Sequence, residues 1–177
     1  MRPTLLTAEQ LQERLLALYH ASLDLVQEIS LESLLQRIAT LACEQAKARY
    51  AAVGVLNPRG ELESFIPIGM SPEEINRMAH PPRGLGLIGA LMQSQEPIRL
   101  ADISKDPRSV GFPKHHPKMK SFLGVPIFHG NRQLGQIYLT EKIGAEEFTE
   151  DDQLLIEMLA AYAAVAITNA RMYKELI

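Results

Sequence analysis

The chain has 177 residues, 46% of them hydrophobic, and a formal net charge of −3. That length suits one domain with a sizeable core and is too short for two domains that each bury a core of their own. The apolar content excludes a disordered chain. No long block of lysine and arginine occurs. Nucleic-acid binding is therefore not expected, because affinity for phosphate needs clustered cations.

Three further features predict a cytoplasmic protein with no membrane partner. The single cysteine, Cys43, cannot form an internal disulfide, which fits a reducing compartment. The N-terminus becomes polar within a few residues, unlike a signal peptide. No segment of the sequence approaches the roughly 20 consecutive apolar residues that a membrane-spanning helix needs.

The first part of the chain predicts two helices. Thr7 and Gln10 have the spacing of a capping box, and leucines recur behind them at intervals of three and four. Ser30 is placed to cap the second helix, in which Cys43 stands among apolar neighbours. A thiol in such surroundings is expected to fill core space and not to act as a nucleophile.

The middle of the chain, from Tyr50 onward, predicts a sheet of hairpins. Two β-rich runs flank the turn sequence at 57–60. Short helices are predicted from Ser71 and from Leu85, followed by a strand in "EPIRLADI". A second hairpin, "SFLGVPIFHGNRQLGQIYLTEKI", turns at 129–131.

A long loop from Ser104 to Lys120 separates that strand from the second hairpin and contains the adjacent pair His115 and His116. Loops of this length are usually functional. Neighbouring residues of an extended stretch point to opposite sides, so only one histidine can enter a pocket. Taken alone, a histidine pair in a loop is more typical of solvated surface than of a ligand site.

The final helix begins after Thr149 and carries more apolar surface than one packing contact uses. Its residues form two neighbouring stripes. The first is Leu155, Leu159, Tyr162, Ala166, Asn169, Tyr173 and Leu176, and the second is Leu154, Met158, Ala161, Val165 and Met172. We expect one stripe to face a partner in a parallel homodimer. The predicted seam joins the first stripe to leucines of the first helix: Leu11, Leu15, Leu18 and Leu25.

The order of elements predicts an α+β fold, in which a central antiparallel sheet carries the N- and C-terminal helices on one face. The short helices and the long loop would form a ligand pocket on the other face. In "GQIYLTEK", Ile137 and Leu139 should face the terminal helices, whereas Gln136, Tyr138 and Thr140 should face the pocket.

This element order resembles a GAF domain, a small-molecule-sensing module. The stretches "SVGFPKHHPKMKSFLGVPI", "GQIYLTEK" and "EFTEDDQLLIEMLAAYAAVAITNARMY" are similar to the haem-binding first GAF domain of DosS/DosT (DevS) type oxygen- and redox-sensing histidine kinases. The resemblance implies haem b, with His116 as the ligand of its iron and Tyr138 lining the distal side. Phe112, Met119 and Phe122 could supply apolar walls.

The implied function is a haem-based sensor of O2, NO or CO, or of redox state, in a bacterial signal-transduction protein. The chain would then divide into an N-terminal signalling or dimerisation helix, residues 1–29, and a GAF sensor domain, residues 30–177. The output would come from a histidine kinase or another output domain, and no enzymatic activity is expected of the chain itself.

Other functions stay open at this point. A haem-free GAF dimerisation or interaction module, or a GAF domain that binds another small ligand, would share the same fold. Cyclic nucleotide is less favoured because no arginine-rich phosphate cradle is apparent. Methionine sulfoxide reduction by GAF-type enzymes relies on several cysteines, and Cys43 stands alone.

Overall fold

The structure is a computed structural model that describes residues 6–27, 30–77, 86–109 and 119–176. Side chains at 21–27, 75–77, 86 and 173–176 are outside this description. The helices are α1 (Ala8–Gln27), α2 (Leu31–Ala46), α3 (Pro72–Arg77), α4 (Gly86–Gln93) and α5 (Glu150–Leu176). The strands are β1 (Ala48–Leu56), β2 (Leu62–Ile68), β3 (Ile98–Leu100), β4 (Phe122–His129) and β5 (Arg132–Lys142).

These strands form one sheet in the order β2-β1-β5-β4-β3, and every neighbouring pair is antiparallel. Both predicted hairpins, β1–β2 and β4–β5, are present. The central position belongs to β5, which pairs with β1 on one side and β4 on the other. The predicted α+β fold class is confirmed.

Three helices begin at the caps that the sequence predicts. Thr7 and Gln10 exchange reciprocal bonds of 3.0 and 3.1 Å between backbone amides and side-chain oxygens. Thr149 and Asp152 do the same at the start of α5, at 2.9 and 3.1 Å. The Ser30 hydroxyl accepts from a backbone amide in the first turn of α2. Each cap pairs amide donors that a helix start leaves without intrahelical partners.

The main core lies between the sheet and helices α2 and α5, on what we call the helix face. Ile137 and Leu139 of β5 point into it, as the alternation of the strand predicts. Leu18 of α1 is buried in the same core. The largest fully buried side chains of this core include Phe148, Leu34, Leu35, Ile38, Leu123, Ile127 and Ile156.

A buried ionic cluster joins four elements at one end of the helix face. The Lys142 ammonium lies 2.9 Å from a carboxylate oxygen of Asp152 and donates to the Ala46 carbonyl, also at 2.9 Å. Arg14 of α1 approaches the same carboxylate at 3.8 Å. The Asp152 side chain is 2% exposed, so its charge is balanced almost entirely by protein groups.

The two stripes of α5 separate only in part, and the predicted dimer seam is divided between the core and the surface. Tyr162, at 40% exposed, and Asn169 of the first stripe lie on the outside. Leu155 and Leu159 are buried in the helix-face core with Leu18. They pack there because α5 lies flat on the sheet, and most of the apolar surface left outside belongs to the other stripe. That stripe is exposed: Leu154, Met158, Ala161, Val165 and Met172. Side chains of Leu25 and Tyr173 are outside the described residues.

By length and composition alone, one helix of the described part, Glu150–Met172, is apolar enough to cross a membrane. The sequence reasoning, which counted consecutive apolar residues, did not single it out. Half of its most apolar window is buried inside the protein, and core helices of soluble proteins pass the same test.

Candidate functional site

The sheet face opposite α2 and α5, which we call the pocket face, carries a second and smaller apolar cluster. Its buried members come from four strands, from α4 and from the segment after β3. They are Ala52, Leu87, Leu91, Ile98, Ile103, Phe122 and Tyr138. Phe65, Ile88, Ala90, Leu100 and Met119 pack against them.

The two residues that pair with Tyr138 on the neighbouring strands are both small. In the strand register, Tyr138 lies between Ala52 of β1 and Gly124 of β4, and Gly124 is followed by Ile98 of β3. A Cβ atom on Gly124 would lie 2.6 Å from Leu91 Cδ2, so α4 rests directly on the glycine backbone. Because Gly124 has no side chain, a helix or a flat ligand can come close to the sheet at this position.

Tyr138 is 5% exposed, and its ring packs between two other aromatic rings. The ring centroids of Phe65 and Phe122 lie 5.8 and 6.3 Å from that of Tyr138. Burial raises the pKa of the Tyr138 phenol far above its usual range, so the hydroxyl keeps its proton at physiological pH. That hydroxyl donates a hydrogen bond of 2.8 Å to Gln136 Oε1.

Three of the five residues predicted for the site meet on this face. Phe122 and Met119 pack beside Tyr138, and the Met119 sulfur lies 3.1 Å from the Thr140 hydroxyl, which donates to it. Phe112 and His116, together with His115, lie outside the described residues. The described chain resumes at Met119, which packs against this cluster and lies three residues after His116 in the sequence.

The sequence reasoning missed Gln133, whose side chain belongs to the same site. Gln133 Nε2 donates to the carbonyls of Leu91 and Ser94, both at 3.0 Å, and Gln136 Nε2 donates to Gln133 Oε1 at 2.6 Å. Strict alternation along β5 would put Gln133 on the helix face. The β4–β5 register shifts at this point, leaving Leu134 opposite no residue of β4, and the bulge exchanges the two faces.

Cys43 lies on the other side of the sheet from Tyr138. It packs against the helix-face core, and its thiol donates to the Ala48 carbonyl at 2.9 Å. Burial, and secondarily the charge of Glu44, raise the pKa of the Cys43 thiol. A protonated, hydrogen-bonded thiol is a poor nucleophile, which agrees with the space-filling role predicted for it.

The buried cluster on the pocket face is built from apolar side chains and the phenol of Tyr138. The part of the chain that the structure describes holds no group of three or more His, Cys, Asp or Glu side chains placed to bind a metal ion. The described cluster therefore suits an apolar, planar or neutral ligand better than a free phosphate.

A family model described as GAF domain matches residues 28–168. The Nif-specific regulatory protein of Herbaspirillum seropedicae is 22% identical over 175 residues, which are 97% of this chain and 32% of that protein. The chain thus spans about a third of the length of this curated relative.

Solved structures show the same fold. The GAF domain of a phosphoenolpyruvate-protein phosphotransferase from Coxiella burnetii has a TM-score of 0.78 and 23% identity, over 93% of this chain and 98% of that one. The free methionine-R-sulfoxide reductase of Neisseria meningitidis has a TM-score of 0.70 and 17% identity, over 98% and 99%. The match to the family model, which covers most of the sheet and its helices, establishes that this chain belongs to the GAF domain family.

Proposed function

We propose that this GAF domain is a haem-based gas or redox sensor of a cytoplasmic bacterial signalling protein. It would hold one haem b through His116 and take O2, NO or CO on the side of Tyr138. The observation that supports this most is the pocket-face cluster, whose described part is built from apolar side chains and contains the buried hydroxyl of Tyr138. In the sequence, His116 precedes Met119 of that cluster by three residues.

The described residues fit a haem group by their chemistry. Aromatic and aliphatic side chains such as Phe65, Phe122 and Met119 offer the dry walls that a macrocycle needs. Ala52 and Gly124 project little or no side chain from the sheet, so a flat molecule that displaced Leu91 could lie close to the backbone. When bound, haem would supply an iron that binds diatomic gases and changes oxidation state. The protein's part is to hold it, exclude water and place the Tyr138 hydroxyl near the ligand.

The packing of α4 suggests how binding could become a signal. Leu91 now occupies the space over Gly124, so a macrocycle on this part of the sheet would have to lift α4. Through Gln133, the end of α4 is bonded to the central strand β5, which forms part of the helix-face core. Movement at the pocket could therefore reach α5 through a continuous set of contacts.

Haem uptake tests this proposal directly. The protein should be reconstituted with haemin and its Soret absorption followed during titration. We expect one haem per chain, bound non-covalently, because the Cys-x-x-Cys-His attachment pattern is missing from the sequence. His116→Ala should abolish or greatly weaken the band, and His115→Ala is the matched control that should keep it. Equal loss in both variants would overturn the assignment of the ligand.

A second candidate function, a haem-free dimerisation or interaction module, is favoured by one observation. The described pocket face is closed and satisfied without a ligand, since Leu91 packs on Gly124 and the Tyr138 hydroxyl already has Gln136 as its partner. A protein that stays colourless after reconstitution, with an unchanged oligomeric state, would favour this module over the sensor.

Both candidates imply a partner for the outer face of α5, and we propose a second copy of the chain in parallel orientation. The exposed residues Leu154, Met158, Ala161, Val165 and Met172 follow heptad spacing. Exposed fractions of 53% for Leu154, 54% for Val165 and 56% for Met172 are unusual for large apolar side chains. Exposed Leu11, Leu15, Leu16 and Tyr19 of α1 would extend the seam. Such a pair of helices could carry a signal into a kinase or other output domain.

Light scattering at micromolar concentration tests the dimer. Met158→Glu combined with Val165→Glu should give a monomer and leave haem uptake unchanged, because neither side chain reaches the pocket face. Ile143→Glu is the matched control, since Ile143 is an exposed apolar residue that belongs to neither helix. A monomeric unmodified protein would contradict this part of the proposal.

A further inference from the structure

A chain of hydrogen bonds connects the Tyr138 hydroxyl to the C-terminal end of α4. The hydroxyl bonds to Gln136 Oε1 at 2.8 Å, and Gln136 Nε2 bonds to Gln133 Oε1 at 2.6 Å. Gln133 Nε2 then bonds to the carbonyl oxygens of Leu91 and Ser94. We call these three side chains the amide relay.

The two carbonyls at its far end fix the direction of the relay. A backbone carbonyl can only accept, so Gln133 must turn its NH2 group toward α4. The amide oxygen of Gln133 then faces Gln136, whose NH2 group must donate the hydrogen bond between them. The oxygen of Gln136 is left facing Tyr138, and the phenol must donate its proton.

Burial and packing keep Gln136 in this orientation. Gln136 is 0% exposed, so water cannot replace a lost partner. Gly54 stands opposite Gln136 in the register, and a Cβ there would lie 2.9 Å from Gln136 Oε1. Turning the amide over would set the oxygen of Gln136 against the oxygen of Gln133 and lose that hydrogen bond, even though the phenol oxygen could then accept from the turned NH2 group.

We infer that Gln133 and Gln136 are specificity-determining residues. They hold the Tyr138 hydroxyl as a hydrogen-bond donor to Gln136, so that the phenol oxygen can only accept a hydrogen bond from a ligand in the pocket. The part of this inference that concerns gas ligands rests on the proposed function as a haem-based sensor. Dioxygen on a haem iron is stabilised by a hydrogen-bond donor, whereas carbon monoxide gains little from one. The relay therefore disfavours tight dioxygen binding and favours the sensing of carbon monoxide or nitric oxide.

The direction of the relay can be tested without any ligand. Ultraviolet resonance Raman spectra of tyrosine distinguish a phenol that donates from one that accepts, and subtracting the Tyr138→Phe spectrum isolates Tyr138. We expect a donor signature in the unmodified protein. Gln133→Met removes the anchor, frees the Gln136 amide to turn over, and should shift the signature toward an acceptor.

Two further variants make that result specific. Gln136→Glu keeps an acceptor beside the phenol and should preserve the donor signature. Gln153→Met makes the same substitution at a glutamine of α5 that bonds to Glu157, and it should change nothing. An acceptor signature in the unmodified protein would overturn the inference. So would an unchanged signature in Gln133→Met, provided that circular dichroism shows the variant folded.

Gas binding to the haem-loaded protein tests the consequence for specificity. Gln133→Met frees the phenol proton, so the dissociation constant for dioxygen should fall roughly five- to tenfold, as expected for one added hydrogen bond. The constant for carbon monoxide should change less than about twofold. Equal changes for the two gases, or none, would overturn the specificity inference. If the chain takes up no haem, the proposed function fails, and the Raman experiment still decides the direction of the relay.

Discussion

Neighbouring residues of the central strand serve two different kinds of packing. Ile137 points into the helix face, where the core is built from aliphatic side chains and Phe148. Tyr138 points to the pocket face, where the buried side chains include a phenol and the amide of Gln136. The centre of the helix face gains stability from buried apolar area and carries its ionic cluster only at one end, whereas the centre of the pocket face itself holds polar groups that must find partners inside the protein.

The difference shows how a single sheet can separate stability from ligand recognition. On the helix face, any well-fitting apolar side chain would serve, because the hydrophobic effect has no direction. On the pocket face, the amide relay has a direction, and its end points lie on different elements. Changes on the helix face should therefore unfold the protein, and changes on the pocket face should alter what it binds.

The largest effect is expected at the edge of the helix face, in the ionic cluster. Asp152→Ala removes the carboxylate that balances Lys142 and also the capping bond to Thr149. We expect the free energy of unfolding to fall by about 3–5 kcal/mol, because a buried ammonium is left without its partner.

Glu63→Ala provides the matched control for that experiment. It breaks the pair with Arg171, in which the carboxylate side chain is 50% exposed and solvent screens the charges. Denaturation in urea should show a loss of less than about 1 kcal/mol. Comparable losses in the two variants would mean that the buried cluster does not hold the helix face together.

A second prediction compares Ile137 and Tyr138 directly. Ile137→Ala should lower the free energy of unfolding by about 2–5 kcal/mol through a core cavity. Tyr138→Phe keeps the ring and leaves one buried oxygen of Gln136 without its donor, which costs about 1 kcal/mol. Urea titrations of both variants measure this difference. If Tyr138→Phe were as damaging as Ile137→Ala, the pocket face would be as important for stability as the helix face.

A third prediction concerns the contact between α4 and the sheet. Gly124→Ala places a methyl group against Leu91 and against the ring of Phe122, so the unfolding free energy should fall by about 1–3 kcal/mol. The same change in a Leu91→Ala background should cost less, because part of the crowding is gone. An equal cost in both backgrounds would show that α4 does not rest on Gly124.

The smallest effect is expected at Cys43. Burial raises the pKa of this thiol in the folded state. The thiol's contribution to the free energy of unfolding is therefore fully present below the unfolded-state pKa of about 8.5 and is lost as the pH rises above it. Alkylation by iodoacetamide at pH 8 should be slow in the folded protein and fast in urea. Rapid alkylation of the folded protein would show that the helix face is open at α2.

Much of the fold could be predicted because its signals are local. The caps at Thr7, Ser30 and Thr149, and the two hairpins, depend on residues close together in the chain. The assignment of Ile137 and Tyr138 to opposite faces followed from alternation alone. The wider site was harder to predict. Gln133 was missed because a bulge interrupts that alternation, and a bulge depends on how two strands pair.

The sequence by itself determined the elements, the two faces of β5 and the presence of two apolar stripes on α5, since periodicity is a property of one segment. Only the tertiary structure decided which stripe is buried, because Leu155 and Leu159 are distinguished from Leu154 and Val165 by the sheet against which α5 lies. It also decided the direction of the amide relay. That direction comes from two carbonyls at the end of α4, about forty residues from Gln133 in the chain, which meet its side chain only after folding.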